Sequence, residues 1–211
     1  MTASPKQLIQ GFKRFREQHF ASKDSMFQQL VEYGQTPKTL VVACCDSRVD
    51  PALVLNCAPG DLFVIRNVAN LVPPLEQRAG HHGTTAAVEY GVRNLGVEHI
   101  IVLGHAHCGG INALVQAGGV SNPDSFIGDW MHMVESARSS VIADLPEASF
   151  AEQIRACEQR AILVSLGNLM TFPWVRERVE TGKLTLHGWY FDLEQGQLLG
   201  YNADTGLFDS L

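Results

Sequence analysis

The chain has 211 residues, of which 45% are hydrophobic and 18% are charged, and this composition suits one globular domain with a full core. Its net charge of −6 argues against nucleic acid or an anionic membrane surface as a partner. No apolar run approaches the roughly 20 residues of a membrane span, and the N-terminus lacks the pattern of a signal peptide. Five cysteines, an odd number, fit a reducing compartment better than a disulfide framework, so we expect a cytoplasmic protein.

Apolar periodicity and turn residues divide the chain into helices and strands. Leu8, Phe12 and Phe15 recur at helical spacing, while Gly34 and Gly96 each follow a helical pattern. In chain order, the predicted elements are helices at 5–20 and 24–33, a strand at 39–43, a helix at 51–56, a strand at 62–66, a helix at 84–95, a strand at 99–103, a helix at 110–117, helical regions at 121–142, 146–170 and 173–180, and strands at 183–191 and 197–202.

This order of elements predicts an α/β fold with a mostly parallel central β-sheet flanked by helices. We expect a single domain over residues 1–211. Within it, residues 1–34 form an N-terminal helical arm, because two amphipathic helices before the first strand have no obvious core of their own. Residues 35–211 form the α/β core, with the final hairpin at one edge of the sheet.

Two loops, at residues 43–48 and 104–110, each follow a buried, β-branched strand. Ligands collect at the carboxyl ends of strands in open α/β sheets, so we expect these loops to lie side by side. Cys44, His105 and Cys108 would then form a Cys2His set with an open fourth position, which is the arrangement of a catalytic zinc. Cys45 and His107 lie beside these residues and compete for the same roles.

Asp46 and Arg48 lie two and four residues past Cys44 and point to catalysis rather than structure. A structural zinc needs no carboxylate–guanidinium pair beside it, whereas an activated water does. Asp46 can accept a hydrogen bond from that water, and Arg48 can pair with Asp46 through two hydrogen bonds and keep it from occupying the fourth zinc position. The plainer interpretation is an ordinary ion pair.

The spacing Cys44-x-Asp46-x-Arg48, together with His105-x-x-Cys108 and the glycine that follows, resembles the signature of the β-class carbonic anhydrases. The resemblance extends from about residue 5 to about residue 205. Further matching stretches are residues 35–38, 59–70, 88–90 and 186–189.

The resemblance implies reversible hydration of carbon dioxide to bicarbonate and a proton, by attack of a zinc-bound hydroxide. It implies one zinc per chain on Cys44, His105 and Cys108, with Asp46 as an alternative fourth ligand in a closed state and Asp46 and Arg48 as the catalytic pair. The implied substrate-binding residues are Gln35, Phe63, Val68, Tyr90 and Gly109. Gln35 and Tyr90 together place the chain with the plant-type branch.

The resemblance also implies self-association, as a homodimer or a dimer-based tetramer, with the N-terminal helices reaching over a partner subunit. Two other hypotheses stay open. The same scaffold can host a hydrolase of carbon disulfide or carbonyl sulfide, although the intact Gln35, Asp46 and Arg48 favour carbon dioxide. Alternatively, the zinc is structural and the protein is an interaction module.

Overall fold

The computed structural model describes residues 3–21, 25–76, 82–116 and 125–211. Its strands are β1 (Thr39–Cys44), β2 (Leu62–Asn67), β3 (His99–His105), β4 (Thr185–Asp192), β5 (Gln197–Asn202) and β6 (Leu207–Ser210). Its helices are α1 (Pro5–His19), α2 (Met26–Tyr33), α3 (Pro51–Val54), α4 (Gly83–Glu89), α5 (Gly109–Gln116), α6 (Phe126–His132), α7 (Glu135–Asp144), α8 (Phe150–Leu169) and α9 (Pro173–Glu180). A π-helical segment, Tyr90–Leu95, continues α4.

The described chain falls into two compact units, Met1–Thr36 and Pro37–Leu211. In the first unit, Ser4 caps α1 with a reciprocal pair of hydrogen bonds to Gln7. Neither α1 nor α2 buries a residue.

The second unit is built on a six-stranded sheet of order β2-β1-β3-β4-β5-β6. The pairings among β2, β1, β3 and β4 are parallel, and β5 and β6 are added antiparallel. The predicted α/β class with a mostly parallel sheet is therefore confirmed. The prediction missed β6, which lies beyond β5 and forms the edge of the sheet in place of the predicted hairpin.

Helix α8 packs against the middle of the sheet and forms its main core contact. Ile162 is fully buried among strand residues such as Val42 and Val102, and burying a side chain of this size contributes about 1.5–3 kcal/mol. The helix comes this close because two strand positions are glycines. A Cβ added at Gly104 would lie 2.7 Å from Ile162 Cδ1, and one at Gly188 would lie 3.0 Å from Ile162 Cγ2.

The helical boundaries correct two expectations. The helix expected to open at Pro146 begins at Phe150, because Ser149 caps it by accepting a hydrogen bond from the Glu152 amide (3.3 Å). The single helical region expected at 121–142 is two helices, α6 and α7, and its expected start at residues 121–123 lies outside the described residues. None of the helices in the described part of the chain is long and apolar enough to cross a bilayer.

Candidate metal centre

Strands β1 and β3 pair in parallel and in register, from Thr39 opposite His99 to Ala43 opposite Leu103. Their carboxyl ends therefore adjoin, as expected for the two loops that follow them. The ligand atoms of Cys44, His105 and Cys108 all lie within 4.8 Å of one another, and all three residues are buried. These were the residues singled out by their spacing in the sequence.

The His105 ring is oriented as a metal ligand requires. Nδ1 lies 2.8 Å from the Ala106 carbonyl oxygen, and in a neutral ring it donates to this oxygen in the tautomer that leaves Nε2 with a lone pair. The buried Nε2 has no hydrogen-bond partner among the described residues. An orphaned buried nitrogen is costly, and a metal ion would satisfy it.

The two sulfurs form a tightly coupled pair. The hydrogen bond between them lowers the pKa of Cys44 and raises that of Cys108. Backbone amides favour the thiolate form of both residues: Asp46 N–H donates to Cys44 Sγ at 3.4 Å, and the amides of Gly110 and Ile111 oppose the rise in the pKa of Cys108. Two thiolates and one imidazole are the donor set of a catalytic zinc with three protein ligands, so the residues present fit this ion.

Cys45 and His107, the neighbours that competed for these roles, are turned away from the group. Cys45 is exposed, and its backbone amide donates to the Asn67 carbonyl oxygen at 2.8 Å. His107 has a left-handed backbone (φ 59°), and its exposed ring lies 2.6 Å from Glu194 Oε1. Neither residue belongs to the buried cluster.

Asp46 and Arg48 form a bidentate pair beside the cluster. Arg48 Nε donates to Asp46 Oδ1 at 2.9 Å, and Nη2 donates to Oδ2 at 2.7 Å. This pairing holds the pKa of the Asp46 carboxyl well below its usual range. Arg48 Nη2 also donates to the His107 carbonyl oxygen at 3.0 Å, so the same guanidinium ties the first loop to the second.

Arg66 supports the first loop, a role that the sequence did not indicate. Its Nε donates to the Cys44 carbonyl oxygen at 2.9 Å, and its Nη2 donates to that of Asp46 at 2.7 Å. Nη1 pairs with Asp50, the residue that caps α3, at 3.0 Å. Arg66 lies on β2, and only the parallel pairing of β2 with β1 brings it under this loop.

The expected substrate residues are only partly brought together. Val68 lines a cavity of about 600 Å³ beside Cys45, whose wall also includes Trp130 of α6. The rings of Phe63 and Tyr90 pair with each other at 6.0 Å between centroids but do not belong to that wall. Gly109 begins α5, directly after Cys108. Gln35 belongs to the N-terminal unit, which is described by itself.

Comparisons with known proteins agree on one family. The sequence pattern of the family described as carbonic anhydrase matches residues 39–198. A carbonic anhydrase of Synechocystis sp. (strain ATCC 27184 / PCC 6803 / Kazusa) is 38% identical over 196 residues, covering 93% of this chain and 70% of the relative. Beta carbonic anhydrase 3 of Arabidopsis thaliana is 39% identical over 188 residues, covering 88% of this chain and 72% of the relative.

Solved structures give the same result. The β-carbonic anhydrase CcaA superposes with a TM-score of 0.90 at 36% identity, covering 98% of this chain and 91% of that one. One of the chains described as tetrameric β-carbonic anhydrases from Sordaria macrospora superposes with a TM-score of 0.76 at 29% identity, covering 94% of this chain and 93% of that one.

Proposed function

The chain belongs to the β-class carbonic anhydrases, enzymes that hydrate carbon dioxide, and on that premise we propose that it catalyses this reaction at a zinc ion held by Cys44, His105 and Cys108. The reaction converts carbon dioxide and water reversibly to bicarbonate and a proton. The observation that carries the proposal is the buried cluster of two sulfurs and one unpartnered imidazole nitrogen beside a bidentate Asp46–Arg48 pair.

Zinc supplies a Lewis acid that makes water a nucleophile near neutral pH. The protein contributes the shape and charge of the site. His105 is held by its hydrogen bond to the Ala106 carbonyl, and the two cysteines neutralise the charge of the divalent ion. Because two thiolates weaken the Lewis acid, another group has to orient the nucleophile.

Asp46 is the group proposed to orient the water. Its Oδ1 accepts hydrogen bonds from the Arg48 backbone amide and from Arg48 Nε, both at 2.9 Å, whereas Oδ2 accepts one, from Nη2, among the bonds found in the described residues. A carboxylate oxygen has two lone pairs, so Oδ2 retains one for a hydrogen bond from the attacking water. Arg48 keeps the carboxylate ionised and holds it back from the metal.

The substrate contacts are proposed from the residues that the family resemblance indicates. Carbon dioxide is small and apolar, so the side chains of Val68, Phe63 and Tyr90 suit it. Bicarbonate needs hydrogen-bond donors, which we assign to the Gly109 amide at the start of α5 and, on the family resemblance alone, to the side chain of Gln35. A helix start favours a bound anion because its first amides have no partner within the helix.

No observation favours the alternative activity, hydrolysis of carbon disulfide or carbonyl sulfide. We expect stopped-flow assays to show rapid hydration of carbon dioxide and turnover of carbonyl sulfide slower by orders of magnitude. A structural zinc predicts neither activity. Rapid hydrolysis of carbon disulfide with negligible hydration of carbon dioxide would contradict the proposed function.

We also propose that the protein assembles as a homodimer or a dimer-based tetramer, with α1 and α2 packed over a partner subunit. Leu8, Phe12 and Val31 are exposed in the N-terminal unit, at 62%, 61% and 85%. Exposed apolar residues at this density favour an interface over a free surface. Among the structural relatives, the Sordaria macrospora enzymes are described as tetrameric.

Sedimentation tests this assembly. We expect the 211-residue chain to sediment at twice or four times its own mass. Replacing Leu8 and Phe12 with serine should weaken the assembly, whereas replacing the exposed Leu53 of the second unit should not. An active wild-type monomer at assay concentration would contradict the proposed dimer.

We place the protein in the cytoplasm, which accords with its five free cysteines.

A further inference from the structure

A buried acidic side chain contacts the backbone of the metal-site loop from behind. Glu158 lies on the sheet-facing side of α8 and is 3% exposed. One carboxylate oxygen, Oε1, accepts a hydrogen bond from the Cys108 backbone amide at 2.9 Å. The other, Oε2, accepts one from the Tyr190 hydroxyl at 2.7 Å. Burying a carboxylate is costly unless hydrogen bonds compensate it, and here both of its oxygens are engaged.

The loop that Glu158 holds is one that needs an external support. His107 has a positive φ of 59°, a conformation that side chains other than glycine rarely adopt. Cys108 precedes α5, so its amide is not used within that helix. The hydrogen bond to Glu158 therefore fixes the peptide immediately before the Cys108 side chain, and with it the direction of Sγ.

Glu158 is itself held in place by Tyr190, which is fully buried on β4. The Arg155 guanidinium lies 5.4 Å from the centroid of the Tyr190 ring and pairs with Asp192 at 2.7 Å. Contacts between α8 and β4 thus hold the Glu158 carboxylate in place. A side chain fixed in this way can set a position to within a few tenths of an ångström, which metal coordination requires.

We propose that Glu158 is a positioning residue for the metal centre: its carboxylate orients Cys108 by a hydrogen bond to the backbone amide, with Tyr190 as its anchor. This inference rests on the proposed function, since it takes Cys108 as a zinc ligand. The proposed role depends on whether the side chain of residue 158 is long enough to accept a hydrogen bond from the Cys108 amide. The zinc affinity should therefore depend on the length of that side chain and not on its charge.

Two conservative variants separate reach from charge. Glu158→Gln keeps the length and an acceptor oxygen but loses the charge, while Glu158→Asp keeps the charge and withdraws the oxygens by one methylene. We expect Glu158→Asp to bind zinc about 10- to 100-fold more weakly than wild type, the usual effect of losing an outer partner of a metal ligand, and therefore to release it faster to a chelator. Glu158→Gln should stay within about threefold of wild type, because its amide oxygen still accepts from Cys108 N–H.

The cobalt-substituted proteins give a second readout, because their d–d absorption bands report ligand geometry. The spectrum should change in Glu158→Asp and match wild type in Glu158→Gln. Glu152→Gln is the control: it weakens the cap of the same helix without touching the loop, so zinc release should not change. Should Glu158→Asp fail to fold, Tyr190→Phe replaces it, with faster zinc release expected.

Wild-type zinc retention in Glu158→Asp, or equal losses in the Asp and Gln variants, would overturn the positioning role. These outcomes are distinct from failure of the proposed function, which would show as absent zinc or absent hydration activity in the wild-type protein itself.

Discussion

The Arg48→Ala variant is expected to keep its zinc and to lose carbon dioxide hydration by on the order of 100-fold or more. Arg48 makes both side-chain hydrogen bonds that hold the Asp46 carboxylate away from the cluster. Without the guanidinium, an ionised carboxylate two residues from Cys44 is free to take the fourth zinc position. The centre then has four protein ligands and no place for water, as in a structural site.

Zinc analysis, stopped-flow hydration and anion-inhibitor binding together check this expectation. Asp46→Asn should also lose activity, but its fourth position stays open, so anions should still bind zinc in that variant and bind poorly in Arg48→Ala. Arg160→Ala is the control, because it removes an arginine–carboxylate pair of similar length (2.8 Å to Asp144) away from the site and should remain active. Near-full activity in Arg48→Ala would rule out this gating role.

The fold was predictable where local pattern and tertiary structure agree. The buried β-branched runs of β1 and β3 and the glycine after Leu95 marked their elements correctly. Strand β6 was missed because its four residues, two apolar and then two polar, do not alternate, and because its place is set by pairing with β5. The π-helical segment was missed because its change of hydrogen-bond register leaves no mark on the apolar periodicity.

The clustering of Cys44, His105 and Cys108 was predictable because two strand ends bring short motifs together. The residues that support those motifs were not. Glu158 is 50 positions from Cys108 along the chain, and Arg66 is 20 from Asp46. Such contacts depend on how α8 and β2 pack against the loops. The sequence around Glu158 and Arg66 carries no signal of that packing.

The second large effect is expected at the ligands themselves, and the chain provides a matched control beside one of them. The zinc content of the Cys44→Ala variant should fall from about one per chain towards none, because removing one of three ligands leaves a site that cannot hold the ion against a chelator. Cys45→Ala, one residue away, should retain its zinc, because Cys45 is exposed and lies outside the buried cluster. If Cys45 were the zinc ligand in place of Cys44, the Cys45→Ala variant would lose zinc and the Cys44→Ala variant would keep it.

A zinc titration of metal-free protein, with carbon dioxide hydration followed by stopped flow, measures whether catalysis depends on one zinc ion per chain. We expect wild-type activity to be negligible at the start, to rise linearly and to level off at one equivalent of zinc per chain. Cys45→Ala should follow the same course, and Cys44→Ala should stay near the uncatalysed rate throughout. Hydration by the metal-free protein, or one tightly bound zinc without hydration, would contradict the proposed function.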